Sequence, residues 1–201
     1  SLITLSLISL TTIANAKSIR IGTEGAYPPW NNLNSAGDLE GAEIDFGNEA
    51  CNRMGVECEW VTQDWDGIIP ALLNGKYDII IAGMSITEER KQKVNFTNGY
   101  MTDGARFAVL KDSGLADLSV AGMSKVNLNN AGGKQQAAIG QLNAAMSGKT
   151  VCVQSSTIHQ NFIEKHMAGA VTMKLYQTVD DHNLDLATGR CDAILADVGS
   201  I

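Results

Sequence analysis

The run Ile79-Ile80-Ile81 leads directly into Ala82-Gly83-Met84-Ser85, an apolar strand pattern that ends in a small, polar turn. Two earlier stretches repeat the design. Ile19-Arg20-Ile21-Gly22-Thr23 ends at Glu24, with Tyr27 just after, and Val56 to Gln63 runs into Asp64-Trp65. Helical patterns separate them, so the layout is βαβαβ, the mark of an α/β fold with a parallel sheet. In open α/β sheets ligands bind beyond the carboxyl ends of the strands. Glu24, Tyr27, Trp65, the turn Ala82, Gly83, Met84, Ser85 and the nearby Arg90 are therefore expected to converge. An acid, two aromatics and a guanidinium suit a small zwitterion with an extra positive charge.

The helices between these strands are readable from spacing. Ala42 to Met54 places Ile44, Gly47, Ala50, Cys51 and Met54 on one face, and Gly55 is a natural C-terminal cap. Asp66 to Asn74 points Ile68, Ile69, Leu72 and Leu73 inward, with Asp66 as the cap and Gly75 as the stop. A third helix begins at Thr87, with Glu88 and Glu89 where the macrodipole favours acids. Ile79 to Ile81 is apolar without alternation, as expected of a strand covered on both faces.

After Phe96 the pattern changes. Turn signals at Asn98-Gly99-Tyr100 and Asp103-Gly104 precede a strand over Arg106 to Leu110, so the chain is expected to cross between two lobes near residues 100–106. The first lobe is expected over 17–103 and the second over 104–201. Asp112 to Gly148 is rich in Gly, Asn, Ser and Gln; its one clear element is a helix around Gln135 to Met146, and the rest reads as a surface excursion. A second α/β unit follows: strand Thr150 to Gln154, turn Ser155-Ser156-Thr157, helix Ile158 to His166, strand Val171 to Tyr176, helix Val179 to Thr188 and strand Asp192 to Ala196. Thr157 and Asp197 stand at strand ends here. Two lobes facing across a cleft is the simplest architecture. The chain stops at Ile201 with no return path for the second lobe, the pattern of a C-terminally truncated chain.

With 201 residues, 44% hydrophobic and 18% charged, the chain has room for one large or two small globular domains. Its net charge of -7 argues against general nucleic-acid binding, which needs a basic face. Residues 1–16 carry an apolar, hydroxylated run followed by Ala14-Asn15-Ala16, which matches the core and cleavage site of a secretory signal peptide; a buried N-terminal helix is the alternative. Export implies an oxidising compartment. There, Cys51 and Cys58 can close a short loop worth about 2–3 kcal/mol, and Cys152 and Cys191 a longer one worth about 4 kcal/mol. Four buried thiols is the alternative reading. Zinc is disfavoured because no C-x-x-C pair exists. His159, His166 and His182 lack metal-ligand spacing and read as surface or helix residues.

A free amino acid needs a guanidinium and helix-start N–H groups for its carboxylate, and an acid for its ammonium. Arg90 and Asp197 are the candidates. Each has a plain alternative, as a solvated helix residue and as a helix cap. Glu24 is either the partner of a cationic side chain or a surface acid. Tyr27 and Trp65 are either stacking walls or core.

Several stretches resemble the solute-binding proteins of polar amino acid ABC importers. They are Gly22-Thr23-Glu24-Gly25-Ala26-Tyr27-Pro28-Pro29-Trp30, Glu43-Ile44-Asp45, Asp64-Trp65-Asp66-Gly67-Ile68-Ile69-Pro70-Ala71-Leu72 and Gly83-Met84-Ser85-Ile86-Thr87-Glu88-Glu89-Arg90, with Val151-Cys152-Val153-Gln154-Ser155-Ser156-Thr157 and Gly189-Arg190-Cys191-Asp192 in the second half. The likeness is greatest to lysine/arginine/ornithine, histidine and opine binders and covers Ser18 to Ile201. It implies a type II, periplasmic-binding-protein-like two-lobe clamshell. It further implies that Arg90, with the N–H groups of Ser85 and Thr157, holds an α-carboxylate. Asp197, with the Ala82 carbonyl and the Ser85 hydroxyl, would hold the α-ammonium. Ala82-Gly83 replaces the hydroxyl pair common in lysine/arginine binders and leaves room for a bulkier ligand such as an opine. The resemblance also implies Cys51–Cys58 and Cys152–Cys191 bridges, the second in some members only.

The function so implied is a monomeric periplasmic receptor that delivers a cationic amino acid or opine to an ABC permease, with no cofactor and no metal. The rival readings are the sensor module of a membrane receptor and a dehydratase-type enzyme on the same scaffold, with Glu24 or Asp197 as its acid or base.

Overall fold

The computed structural model describes residues 17–120 and 132–201. The expected signal peptide, residues 1–16, lies outside them, as does part of the excursion after Asp112. No helix among the described residues is long and apolar enough to cross a membrane.

The first sheet is parallel, with β1 (Ser18–Thr23) between β5 (Glu57–Thr62) and β6 (Ile79–Ile80). A small antiparallel sheet of β2 (Ala26–Tyr27), β3 (Asn31–Leu33) and β4 (Leu39–Glu40) follows β1. Helix α1 (Ala42–Met54) ends at Gly55, whose φ of 66° is the left-handed conformation that glycine adopts without strain. Helix α2 is shorter than its pattern suggested. A 3-10 turn, Trp65–Gly67, precedes an α-helix of Ile68–Leu73, and no side chain caps either start, so Asp66 is not the cap. Helix α3 (Glu88–Lys91) starts as expected, with the Thr87 hydroxyl accepting the Arg90 N–H.

Three inward assignments are corrected. Met54 is 57% exposed and Leu73 59%; each is the last residue of its helix, where packing against the lobe's core ends. Ile79 is 41% exposed, because β6 is the edge strand of its sheet rather than a strand covered on both faces. Conversely Glu43, an acid in the first turn of α1, is 2% exposed.

The second sheet runs β7-β10-β8-β9, from β7 (Ala105–Ala108), β8 (Thr150–Gln154), β9 (Thr172–Tyr176) and β10 (Ala193–Asp197). Only β7 is antiparallel. Helices α4 (Gly133–Ala145), α5 (Ile158–His166) and α6 (Val179–Ala187) cover it. Strand β8 explains why a continuous apolar run was needed. Val151 and Val153 enter a core with Ile139, Met146, Phe162 and Ile163, while Cys152 faces the opposite side with Leu186 and Ile194. Burying each such side chain contributes about 1.5–3 kcal/mol. Helix α4, expected over Gln135 to Met146, packs into this core through Ile139, with Met146 at its C-terminal cap. Both bridges are present, Cys51–Cys58 and Cys152–Cys191. The parallel pairing of β8 with β10, which sets Ile194 beside Cys152, brings the second pair within reach.

Candidate functional site

The strand-end residues do meet. A pocket of about 440 Å³, partly open to solvent, is lined by Glu24, Tyr27, Trp65, Ala82, Gly83, Ser85 and Arg90 from the first lobe and by Thr157 and Asp197 from the second. Met84 is the exception. It lines an adjoining pocket near Phe96–Tyr100 and packs toward Ile68 and Tyr77. A strand-end argument alone does not resolve which of two adjoining pockets a turn residue lines.

Glu24 follows β1 and is 8% exposed. Its Oε1 accepts from Gln154 Nε2, at the end of β8, at 2.5 Å. Burial pushes the Glu24 carboxyl up to about 7; the Gln154 bond opposes this, while the charges of Asp64 and Glu43 add to it. Tyr27 is buried, and its hydroxyl donates to Asp197 Oδ2 at 2.7 Å. Burial, with Asp197 beside it, holds the phenol well above its usual range.

Arg90 stacks on Trp65, its guanidinium carbon 5.2 Å from the ring centroid. Nη1 donates to the Ser85 carbonyl at 2.9 Å and Nη2 to the Ser156 carbonyl at 3.1 Å. Trp65 Nε1 donates to the same Ser156 carbonyl at 3.1 Å. Ser156 has φ 59°, a left-handed conformation costly for a residue with a Cβ. That backbone geometry aims its carbonyl at the opposite lobe. Thr157 caps α5, its hydroxyl accepting the Gln160 N–H at 3.3 Å and donating to the Gln154 carbonyl at 2.7 Å. The start of α5 therefore borders the cleft, a favourable place for an anion.

Gly83 has φ 57°, and a Cβ there would lie 2.8 Å from Tyr27 Cε1. Its N–H donates to Glu43 Oε1 at 2.6 Å. Glu43 also accepts from Asn31 Nδ2 at 2.7 Å and from the Tyr100 hydroxyl. One buried carboxyl group thus ties the pocket-lining turn to β3 and to the segment after Phe96.

Residues missed by the sequence reading lie on the second lobe. Gln154, His159 and His182 line the same pocket. His159 and His182, read as surface or helix residues, are 4% and 0% exposed. Both occupy the first turn of a helix that follows a strand, and this position was the available signal. His159 Nε2 lies 3.4 Å from Asp197 Oδ1. Burial works to raise the Asp197 carboxyl, but His159 and the Tyr27 hydroxyl outweigh it and hold it below the usual range. Among the described residues no cluster of His, Cys, Asp and Glu is placed to hold a metal ion.

Residues 19–178 match the family model of the bacterial extracellular solute-binding proteins, family 3. The chain is 44% identical over 183 residues to the octopine-binding periplasmic protein of Rhizobium meliloti, covering 91% of this chain and 62% of that protein. It is 36% identical over 194 residues to the L-arginine-binding protein of Pseudomonas aeruginosa, covering 96% of this chain and 66% of that protein. The chain therefore spans less than two thirds of the length of these relatives. Among solved structures, an ancestral amino acid-binding protein described as a precursor of cyclohexadienyl dehydratase superposes with a TM-score of 0.74 at 29% identity, over 90% of this chain and 71% of that one.

Proposed function

Because this chain belongs to the bacterial extracellular solute-binding proteins of family 3, we propose that it is the ligand-binding part of a periplasmic receptor for a cationic amino acid or a related opine, serving an ABC importer. The observation that carries this reading is the meeting of Arg90, Asp197 and Glu24 in one cleft walled by Tyr27 and Trp65. Arg90 takes the α-carboxylate with the start of α5, Asp197 takes the α-ammonium, and Glu24 faces the cationic side chain. The matched relatives named for octopine and L-arginine support the same class.

Among the described residues, the hydrogen bonds that join the lobes include Tyr27 to Asp197, Gln154 to Glu24, Trp65 and Arg90 to the Ser156 carbonyl, and the Gly199 N–H to Asp103. The cleft is therefore a closed one whose groups partly satisfy each other. The guanidinium has five N–H groups, so donors remain for a carboxylate. Ligand enters an open form and shifts the population toward closure by contacts made only in the closed state. The closed monomer then docks on the permease, and the ligand leaves unchanged.

A dehydratase-type reading rests on the ancestral neighbour and on the raised carboxyl of Glu24. The binding reading is favoured because the relatives matched over nine tenths of the chain are named as binding proteins. A thermal-shift screen of the intact protein against the common amino acids and octopine tests it. A rise in melting temperature is expected with arginine, lysine, ornithine, histidine or octopine, and no rise with any of them would end the reading. Ligand recovered chemically altered would favour the enzyme.

A further inference from the structure

We infer that His159 is a positioning residue that aims the Asp197 carboxylate at the ligand's α-ammonium before the lobes close. The inference rests on the assignment of Asp197 as the ammonium partner.

Asp197 ends β10, and its side chain can rotate unless both oxygens are held. Tyr27 holds Oδ2 at 2.7 Å, but Tyr27 stands on the other lobe, so that bond exists only in the closed form. His159 stands on the same lobe, in the first turn of the helix after β8, the strand beside β10. Its Nε2 lies 3.4 Å from Oδ1 and is fully buried without a hydrogen-bond partner among the described residues. A buried imidazole N–H left unmatched is costly, and Asp197 Oδ1 is the acceptor in reach.

His182 completes the arrangement from the first turn of α6. It is 0% exposed, and burial lowers its ring to about 4, with the Asn183 contact opposing, so it is neutral near pH 7. Its neutral ring adds no charge to compete for Asp197 in the pocket they share. A carboxylate held this way in the open lobe is preorganised, and less ordering remains for the ligand to drive.

The test compares arginine with 5-guanidinopentanoate, the same molecule without its α-ammonium, by calorimetry on the intact protein. His159→Leu is expected to weaken arginine by about 10-fold or more, the scale of a hydrogen bond to a charged group, and to leave 5-guanidinopentanoate within about 2-fold. His159→Gln, whose amide reaches a similar point, is expected to restore arginine binding. Asp197→Asn serves as the reference and should lose arginine selectively. If His159→Leu does not fold, His159→Ser, too short to reach Asp197, carries the same comparison. Equal losses on both ligands in the His159 variants, with Asp197→Asn still selective, would overturn the positioning role. Equal losses in Asp197→Asn would overturn the ammonium assignment itself, and the inference with it.

Discussion

The Tyr27 hydroxyl donates to Asp197 Oδ2 at 2.7 Å across a sequence separation of 170 residues. It joins the small sheet of the first lobe to the last strand of the second. The acid proposed to take the ligand's ammonium is thus engaged by the protein itself. Tyr27→Phe keeps the ring and removes this latch. The ligand-free variant is expected to open, read as an increased radius of gyration in small-angle X-ray scattering. An unchanged radius would mean that the bond does not contribute to closure.

Gly83→Ala tests the proposed binding role of the turn that lines the pocket. The added methyl meets Tyr27 at 2.8 Å, and the φ of 57° disfavours any residue with a Cβ. Arginine binding is expected to weaken by about 10-fold or more while the fold survives, because Tyr27 must shift from its wall position. Calorimetry showing wild-type affinity would place the turn outside the binding surface.

Glu43→Ala removes the acceptor for Gly83, Asn31 and Tyr100. Several buried donors would lose their partner, and the expected cost is about 3 kcal/mol of stability. Urea unfolding with an unchanged midpoint would contradict this.

These two sites also mark how far sequence alone could reach. Strand-end logic located Glu24, Trp65, Arg90, Thr157 and Asp197, because apolar runs ending in polar residues leave few other architectures. It could not find the role of Glu43, whose partners Gly83 and Tyr100 lie 40 and 57 residues away. Nor could it assign His159 and His182 to the cleft. Histidine was weighed as a metal ligand, and the spacing said nothing about a helix start facing the site. Met54 and Leu73 fit their helical stripes yet stand exposed, since periodicity does not tell where packing against the core ends.

The Glu24 carboxyl, raised to about 7 by burial against the opposing Gln154 bond, sets a pH dependence. Its neutral form is favoured in the closed cleft, so stability from this group is present at low pH and is lost as pH rises through about 7. A cationic side chain binds the ionised form and must displace the proton. Arginine affinity is therefore expected to fall as pH drops below about 7, by at most tenfold per unit, with proton release on binding. Calorimetry in two buffers of different ionisation enthalpy reads that release, and a pH-independent affinity without it would rule out Glu24 as the cation's partner.

The most direct measurement is a crystal structure of the intact protein grown with arginine. The account expects Arg90 in hydrogen-bond contact with the ligand's α-carboxylate, Asp197 with its α-ammonium and Glu24 nearest its guanidinium, inside the closed cleft. Electron density placing arginine elsewhere, or Arg90 and Asp197 turned toward different cavities, would contradict it.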